Sequence, residues 1–306
     1  MRLGIVDLDT SHPQNWIPIE RELGHEVIGI YDAGAVHPPS YVEAFAQQHQ
    51  VPKIYSRLED MVLEVDGVII HSCDWDTHVD KARPFVEADK SVLLDKPMAG
   101  SLGDIQQLLD WDAQGKRVCG GSSLRYAAEV AAYLAEPPEE RGVAHTAFAG
   151  CGTDEFNYGI HAYALLAGAL GPGMLSAQYL GSSRQKHIRI TWDDGRVGLL
   201  CIGAGAWLPF HLTLVTERKV RQITCDTGTL YRGMLEQVLP YMAGAGEPMP
   251  PMRQLLEPEL CALAARQSWL RRGAEVFLTD LTLADEGYDG ALFAREYRRQ
   301  RYPEGQ

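Results

Sequence analysis

The sequence predicts an α/β protein in which a doubly wound parallel sheet is followed by an α+β domain with a largely antiparallel sheet. Over residues 1–125, short apolar runs alternate with stretches of helical period, a pattern that requires parallel strands joined by helical crossovers. After residue 125, strand-like runs follow one another, and Asp194-Gly195 between two of them is a strong hairpin signal. We therefore expect one domain over residues 1–125 and a second over residues 126–306.

The predicted strands of the first domain are short and continuously apolar, as is typical of strands buried on both faces of a parallel sheet. They cover residues 2–8, 27–32, 53–55, 67–73, 91–95 and 117–121. The helices between them are predicted over residues 11–23, 40–49, 77–88 and 102–114. Gly24 directly follows the first helix, where glycine commonly ends a helix.

The second half mixes helices with consecutive strands. Helices are predicted over residues 127–135, 157–170, 229–243 and 256–272. Gly171-Pro172 ends the second of these helices. Strands are predicted near residues 143–150, 174–181, 187–193, 196–203 and 211–226. This order of elements is the reason to expect an α+β domain.

The composition limits the kinds of partner. The chain has 306 residues, of which 45% are hydrophobic, and its net charge of −13 argues against nucleic acid or anionic membranes as partners. No apolar stretch approaches the length of a membrane span, and residues 1–9 lack the pattern of a signal peptide. The six cysteines form no C-x-x-C pair, which favours a reducing compartment. We expect a cytoplasmic protein that acts on a small molecule.

Three segments carry motifs. The first runs from DGVII at residues 66–70 through Thr77-His78 to KSVLLDKP at residues 90–97. The others are GSSLRY at residues 121–126 and NYGIH at residues 157–161. In this order they resemble the DxVxIxxPxxxH…GKHVxxEKP, GFNRRF and DxGxH stretches of the Gfo/Idh/MocA family (glucose–fructose oxidoreductase and inositol dehydrogenase), with Asp95 in place of Glu.

The resemblance implies a Rossmann-type domain followed by a second domain whose open sheet often forms oligomer contacts. It implies NAD(P)-dependent hydride transfer to or from a sugar, a polyol or a related hydroxy compound. A homo-oligomer, either a dimer or a tetramer, is expected. Two alternatives stay open. The first is a relative without ordinary redox turnover, such as a lyase, an isomerase or a metal-dependent hydrolase. The second is a non-catalytic sugar-binding or regulatory protein.

Hydride transfer from an alcohol needs a base and a group that supports developing alkoxide charge. Lys96 follows the predicted fifth strand, and the carboxyl ends of strands are where open α/β sheets bind ligands. It is a candidate hydrogen-bond donor or base, and the alternative is an exposed lysine. His161 is a second candidate base, and the alternative is a core histidine. Asn157, one helical turn earlier, would orient His161 where the family usually has Asp.

Two further residues of these segments are candidates for contact with the substrate. Arg125 would clamp a carboxylate or a pair of hydroxyls, and the alternative is an ion pair at the domain junction. Tyr158 lies beside Asn157 in the third segment and, like Arg125, is assigned to substrate binding.

The glycine fingerprint that the family uses to bind pyrophosphate is missing. Its positions are occupied by Asp7, Asp9 and His12, and Asp9 is expected to add bulk and negative charge where the backbone approaches the phosphates. Thr10 and Ser11 still offer hydroxyls near a helix N-terminus. We assign Asp9, Thr10, Ser11 and His12 to the cofactor site.

Asp32, at the end of the second predicted strand, matches the acid that binds the ribose of a dinucleotide. A carboxylate at this place favours NAD over NADP, because it repels the 2′-phosphate. Cys73, His78 and Asp95, which lie in the first motif segment, are assigned to the cofactor as well. The stretch HSCDWDTH at residues 71–78 also brings metal-ligating residue types to this edge, but no spacing is diagnostic, so no metal is predicted.

Overall fold

The computed structural model describes residues 1–247 and 249–303, which form two compact units. The first comprises Met1–Gly120, Leu235–Met252 without residue 248, and the described residues from Asp289 onwards. The second comprises Gly121–Met234 and Arg253–Tyr288. The predicted domains, 1–125 and 126–306, are each contiguous, whereas two segments from the second half of the chain belong to the first unit.

The first unit contains a sheet of six parallel strands. They are β1 (Arg2–Val6), β2 (Glu26–Tyr31), β3 (Ile54–Tyr55), β4 (Gly67–Ile70), β5 (Ser91–Leu94) and β6 (Val118–Gly120). Their order is β3-β2-β1-β4-β5-β6, so the direction of the winding reverses between β1 and β4. Ligands bind at such a switch point, beyond the carboxyl ends of the strands. The predicted doubly wound parallel sheet is confirmed.

The second unit contains a sheet that is antiparallel except for one pair. Its described strands are β7 (Ala144–Gly150), β8 (Met174–Ser182), β9 (Lys186–Trp192), β10 (Val197–Ile202), β11 (His211–Thr216), β12 (Val220–Thr224) and β13 (Val276–Phe277), in the order β12-β11-β7-β10-β9-β8-β13. Only β7 and β10 pair in parallel. This confirms the largely antiparallel sheet that the sequence predicts.

Two turns in this sheet show where the sequence pattern succeeds and fails. The predicted hairpin at Asp194-Gly195 is present, and the Gly195 N–H donates to the carbonyl of Trp192 over 3.0 Å. The predicted run over residues 211–226 is instead two strands. Thr216 Oγ1 accepts the backbone N–H groups of Arg218 and Lys219, which closes a tight turn between the strands. Because β-branched residues lie on both sides of this turn, the sequence pattern does not show it.

Twelve α-helices lie in the part of the chain that the structure describes. They are α1 (His12–Glu22), α2 (Pro39–Gln48), α3 (Leu58–Val62), α4 (His78–Glu87), α5 (Leu102–Ala113), α6 (Ala128–Ala135), α7 (Pro138–Arg141), α8 (Gly159–Leu170), α9 (Leu230–Met242), α10 (Met252–Leu255), α11 (Glu257–Leu270) and α12 (Gly290–Arg301). Within the described residues, none of them combines the length and the apolar character needed to cross a membrane.

Helix α12 belongs to the first unit. The Gly290 N–H at its start donates to Asp76 Oδ2 over 2.8 Å, and the Phe293 ring lies 5.2 Å from the ring of Trp75. Farther along the helix, Arg298 donates to the carbonyl of Gly34 over 2.9 Å. These contacts fasten the C-terminal helix to the loops that follow β2 and β4, at the carboxyl edge of the parallel sheet.

Glu20 is an unusual core residue on α1. It is completely buried, and within the described residues neither carboxylate oxygen has a hydrogen-bond partner. Burial raises the pKa of Glu20 to about 8, because the charged form loses its hydration. The folded protein therefore holds this side chain in its neutral form at pH 7.

We expect Glu20→Gln to stabilise the protein increasingly as the pH rises. Glu20 ionises near pH 4.5 in the unfolded chain but only near pH 8 in the folded protein. The free energy of unfolding of the wild type therefore falls progressively as the pH rises from about 4.5 to about 8. Between pH 5.5 and pH 8 the advantage of the variant should grow by about 3 kcal/mol. Urea unfolding at both pH values checks this, with the exposed Glu43→Gln as control. An advantage that does not change with pH would contradict it.

Candidate active site

Three residues from separate strand ends meet at the switch point. His71 directly follows β4, and its backbone N–H donates to the carbonyl of Val6 over 2.8 Å. Asp95 directly follows β5, and its N–H donates to the carbonyl of Ile70 over 2.9 Å. His12 is the first residue of α1, which follows β1. The parallel sheet therefore brings His12, His71 and Asp95 to one edge.

The carboxylate of Asp95 is the centre of this cluster. Its Oδ2 lies 2.5 Å from His12 Nδ1 and 2.8 Å from His71 Nδ1, and its Oδ1 accepts the Lys96 N–H over 2.7 Å. Burial alone would raise the pKa of Asp95, but the charge and hydrogen bond of His12 and the hydrogen bond of His71 outweigh burial and hold that pKa well below its usual range. Asp95 is therefore a buried carboxylate anion.

The two imidazoles are held against one indole. The His12 ring stacks on the Trp16 ring at 5.5 Å, and the His71 ring meets Trp16 edge-on at 4.9 Å. His71 is completely buried, which lowers its pKa and favours the neutral ring. Among the described residues, nothing pairs with His71 Nε2. The side chain of His12 stays 12% exposed, so solvent reaches the cluster from this side.

Asp7 takes the place of the first fingerprint glycine and keeps the backbone conformation of that glycine. Its φ is 62°, in the left-handed region that favours glycine and that aspartate also tolerates. Its carboxylate accepts the Ala33 N–H over 2.9 Å, the Lys81 ammonium at 2.5 Å and the hydroxyl of Ser72. These contacts hold the turn after β1 without a glycine.

Asp9 takes the place of the second glycine, and its side chain turns into the protein. It is completely buried, and its Oδ2 accepts the Cys73 N–H over 2.8 Å. The expectation that Asp9 adds bulk on the ligand side is therefore wrong. Burial and the charge of Asp7 raise the pKa of Asp9 to about 7, so near neutral pH its negative charge is only partial.

Asp32 lies beyond the end of β2, as predicted. Its Oδ2 accepts the Leu8 N–H over 2.9 Å and its Oδ1 accepts the Gly34 N–H over 2.7 Å, which joins the loops after β1 and β2. It also lines a cavity of about 260 Å³ together with Gly34, His37, Pro39, Val42, Glu43, Ile54 and Tyr55. Its predicted contact with a ribose stays a prediction.

The remaining residues assigned to the cofactor differ in how accessible they are. Thr10 Oγ1 accepts the His12 N–H over 3.2 Å, and the side chain of Ser11 is exposed. Cys73, by contrast, is buried and tied to Asp9 through its backbone. Burial favours a supporting role for Cys73, while Thr10 and Ser11 remain open to a ligand.

His78 joins two loops of the same edge. It is completely buried, with Nε2 2.9 Å from the carbonyl oxygen of Ser72 and Nδ1 3.1 Å from that of Met98. These carbonyls belong to the loops after β4 and β5. His78 therefore fixes the loops around the site, and a direct contact with the cofactor stays a prediction.

Lys96 lies at the carboxyl end of β5, directly after Asp95. Its peptide bond to Pro97 is cis, and the residue is only 7% exposed. Because its backbone N–H donates to Asp95 Oδ1, the position of Lys96 is tied to the carboxylate at the centre of the cluster. A lysine held in this way is not the exposed strand-end residue of the alternative interpretation.

His161 lies on the first turn of α8, in the second unit. Its Nδ1 is 2.7 Å from Ser122 Oγ, which also accepts the Leu124 N–H over 3.1 Å. The ring packs against Phe210 at 5.1 Å. The sequence signal for Ser122 was its place in the GSSLRY segment, but the motif alone did not single it out as the partner of a histidine.

The other residues predicted in this unit lie around α8. The helix begins at Gly159, so Asn157 lies in the turn that directly precedes it. The Tyr158 N–H donates to Asp154 Oδ1 over 3.1 Å. The roles proposed for Asn157 and Tyr158 stay predictions.

Arg125 is fastened within the second unit. Its guanidinium donates to the carbonyl of Gln254 over 2.6 Å, and burial lowers its pKa. This contact is with a neutral group, so it is not an ion pair. The predicted clamp on a substrate stays a prediction.

The switch point and the residues around it define the first unit as a sheet of the dinucleotide-binding type. Residues 3–120 match the model of the Gfo/Idh/MocA family, described as an oxidoreductase family with an NAD-binding Rossmann fold. The match includes the first motif segment, residues 66–97, and so agrees with the resemblance noted there.

One curated relative matches part of this chain. Residues of this chain are 29% identical over 108 positions to trans-1,2-dihydrobenzene-1,2-diol dehydrogenase from Danio rerio. The match covers 35% of this chain and 30% of that protein, so it spans less than a third of the relative.

Solved structures share the fold. The myo-inositol dehydrogenase from Lactobacillus casei, in complex with NAD(H) and myo-inositol, superposes with a TM-score of 0.77 at 14% identity over 94% of this chain and 98% of its own. GenD2 from gentamicin A biosynthesis, in complex with NAD, gives a TM-score of 0.74 at 15% identity over 90% and 96%. At these identities the likeness concerns the fold alone.

We expect the ion pair of Asp7 and Lys81 to stabilise the turn after β1. Asp7→Asn keeps the tolerance for positive φ but leaves the largely buried Lys81 ammonium without its closest anion, which should lower the free energy of unfolding by about 2–3 kcal/mol. Adding Lys81→Met should recover much of this loss. A urea-unfolding double-mutant cycle checks the coupling, with Glu64→Gln in the exposed Lys53–Glu64 pair as control. Strictly additive effects would contradict it.

Proposed function

We propose that the protein is an NAD(P)-dependent oxidoreductase that transfers hydride to or from a sugar, a polyol or a related hydroxy compound. The observation that carries the proposal is Lys96, which lies in the Asp-Lys-Pro segment at the carboxyl end of β5, within the part of the chain that matches the family. Relatives of known fold act on polyols, and the Danio rerio relative is a diol dehydrogenase by name.

For the cofactor, we propose NAD rather than NADP. The cavity beside Asp32 has room for the adenosine end of a dinucleotide, and the Asp32 carboxylate is suited to accept hydrogen bonds from ribose hydroxyls. The same negative charge would repel a 2′-phosphate. Thr10, Ser11 and the first amides of α1 are the groups that would hold the pyrophosphate in place of the glycine loop.

The reaction separates a hydride from a proton. When bound, the nicotinamide would supply the hydride acceptor in the oxidative direction, and the protein would have to supply a base for the hydroxyl proton. Lys96 fits this role if its amine is neutral when substrate is bound, and otherwise it supports the alkoxide by hydrogen bonding. His161, with Ser122 orienting its Nδ1, is the candidate base of the second unit.

We expect Lys96→Met to lower turnover at least about 100-fold while leaving cofactor binding intact, because it removes only the proton-handling group. The assay follows the absorbance of NADH with a panel of cyclic polyols, hexoses and diols. The NADH-induced rise in melting temperature reports cofactor binding separately. The exposed Lys53→Met serves as control. Retained turnover in Lys96→Met would rule out this lysine, and a wild-type protein that neither binds NADH nor contains it as purified would rule out the function.

We expect NADH to bind about 10-fold more tightly at pH 6 than at pH 8, because a pyrophosphate anion favours the protonated form of Asp9, whose pKa is about 7. The groups that face Asp9 are Asp7 and Asp32, which oppose its ionisation, Lys81, which favours it, and the Cys73 N–H. Asp9→Asn keeps an acceptor for Cys73 and should flatten this dependence. Titrations of NADH at both pH values check this, and an equal slope in the variant would contradict it.

A further inference from the structure

We propose that His12, His71 and Asp95 form a binding site for a divalent transition-metal ion, with Zn²⁺ as the first candidate. The three side chains offer two imidazole nitrogens and one carboxylate oxygen, and these atoms all lie within 4.8 Å of one another. Two histidines and one carboxylate are a ligand set of catalytic zinc sites and of non-haem iron sites, in which further positions stay open.

The orientation of the side chains supports a common ligand. Both imidazoles direct the same atom, Nδ1, at Asp95 Oδ2, at 2.5 and 2.8 Å. Two ligands of one tetrahedral zinc ion lie about 3.3 Å apart, given zinc–ligand distances near 2.0–2.1 Å. Each distance from a histidine Nδ1 to Asp95 Oδ2 would thus have to lengthen by less than about 1 Å to fit the ion.

The surroundings of the cluster meet two further requirements of a metal site. The Lys96 N–H holds Asp95 Oδ1, so the carboxylate is oriented by its neighbour, as ligating carboxylates usually are. His71 and Asp95 are buried, while His12 is partly exposed, which leaves one side of the ion open to solvent or substrate. The carboxylate of Asp7 nearby adds negative charge that favours a cation.

The location gives such an ion a chemical use. It would lie at the switch point, one residue from Lys96, where ligands of this class of sheet bind. A metal ion there polarises a hydroxyl or carbonyl oxygen of a substrate as a Lewis acid. This proposal differs from the sequence analysis, which predicted no metal. It does not depend on hydride transfer, and it is equally compatible with the non-redox alternatives left open by the sequence.

The test measures metal binding in the absence of nucleotide. Protein prepared without a histidine tag is treated with a chelator, and Zn²⁺ is titrated by calorimetry, with Mn²⁺ and Mg²⁺ in parallel. We expect one Zn²⁺ per chain. We also expect His12→Ala to weaken binding at least about 100-fold, because removing even an outer-shell partner typically weakens metal binding 10- to 100-fold. The exposed His145→Ala, in the second unit, should bind as the wild type does.

Asp95→Asn provides a second variant, and circular dichroism of the metal-free forms shows whether each variant is folded. His12 is the decisive position, since its partly exposed ring is the least needed for folding. No binding of Zn²⁺ to the folded wild type, or equal binding by His12→Ala, would overturn the proposal. A separate titration of NADH into metal-free protein distinguishes failure of the metal site from failure of the proposed redox function.

Discussion

The buried carboxylate of Asp95 is the interaction on which the carboxyl edge of the parallel sheet depends. Its Oδ2 contacts Nδ1 of His12 at the start of α1 and Nδ1 of His71 after β4. Its Oδ1 accepts the backbone N–H of Lys96. A buried carboxylate is stable only when its charge is compensated and its oxygens accept hydrogen bonds. The positions of α1, of the loop after β4 and of Lys96 are therefore coupled through one side chain.

The same edge shows how a turn built for glycine can be kept without it. Asp7 adopts the left-handed backbone conformation that the turn requires. Its carboxylate accepts hydrogen bonds from the Lys81 ammonium and from the Ala33 N–H in the loop after β2. The Asp9 side chain points into the protein and accepts the Cys73 N–H. The geometry of the dinucleotide-binding scaffold persists, while buried carboxylates replace the exposed backbone that glycines usually provide for phosphate. A buried carboxylate and the two histidines beside it are the residues on which the proposed metal site of this edge is based.

The sequence predicted the parallel sheet well, because its buried strands are continuous apolar runs and its helices have clear periodicity. It missed α3, whose five residues are too few to show a period. Parallel topology also predicted that the stretch at residues 71–78 lies at the same edge as the residues assigned to the cofactor. It could not predict that two histidines meet one oxygen of Asp95, nor that His161 pairs with Ser122, since these contacts join residues 24 to 83 positions apart and depend on side-chain packing.

The most direct test of this account is the tautomer of His71, measured from the ¹⁵N chemical shifts of its ring in metal-free protein at pH 7. If Asp95 organises the edge, burial keeps the ring neutral and the proton resides on Nδ1, directed at Asp95 Oδ2. Nε2 should then show the shift of an unprotonated nitrogen. A ring protonated on Nε2, or one that exchanges between both tautomers, would contradict the central role assigned to Asp95.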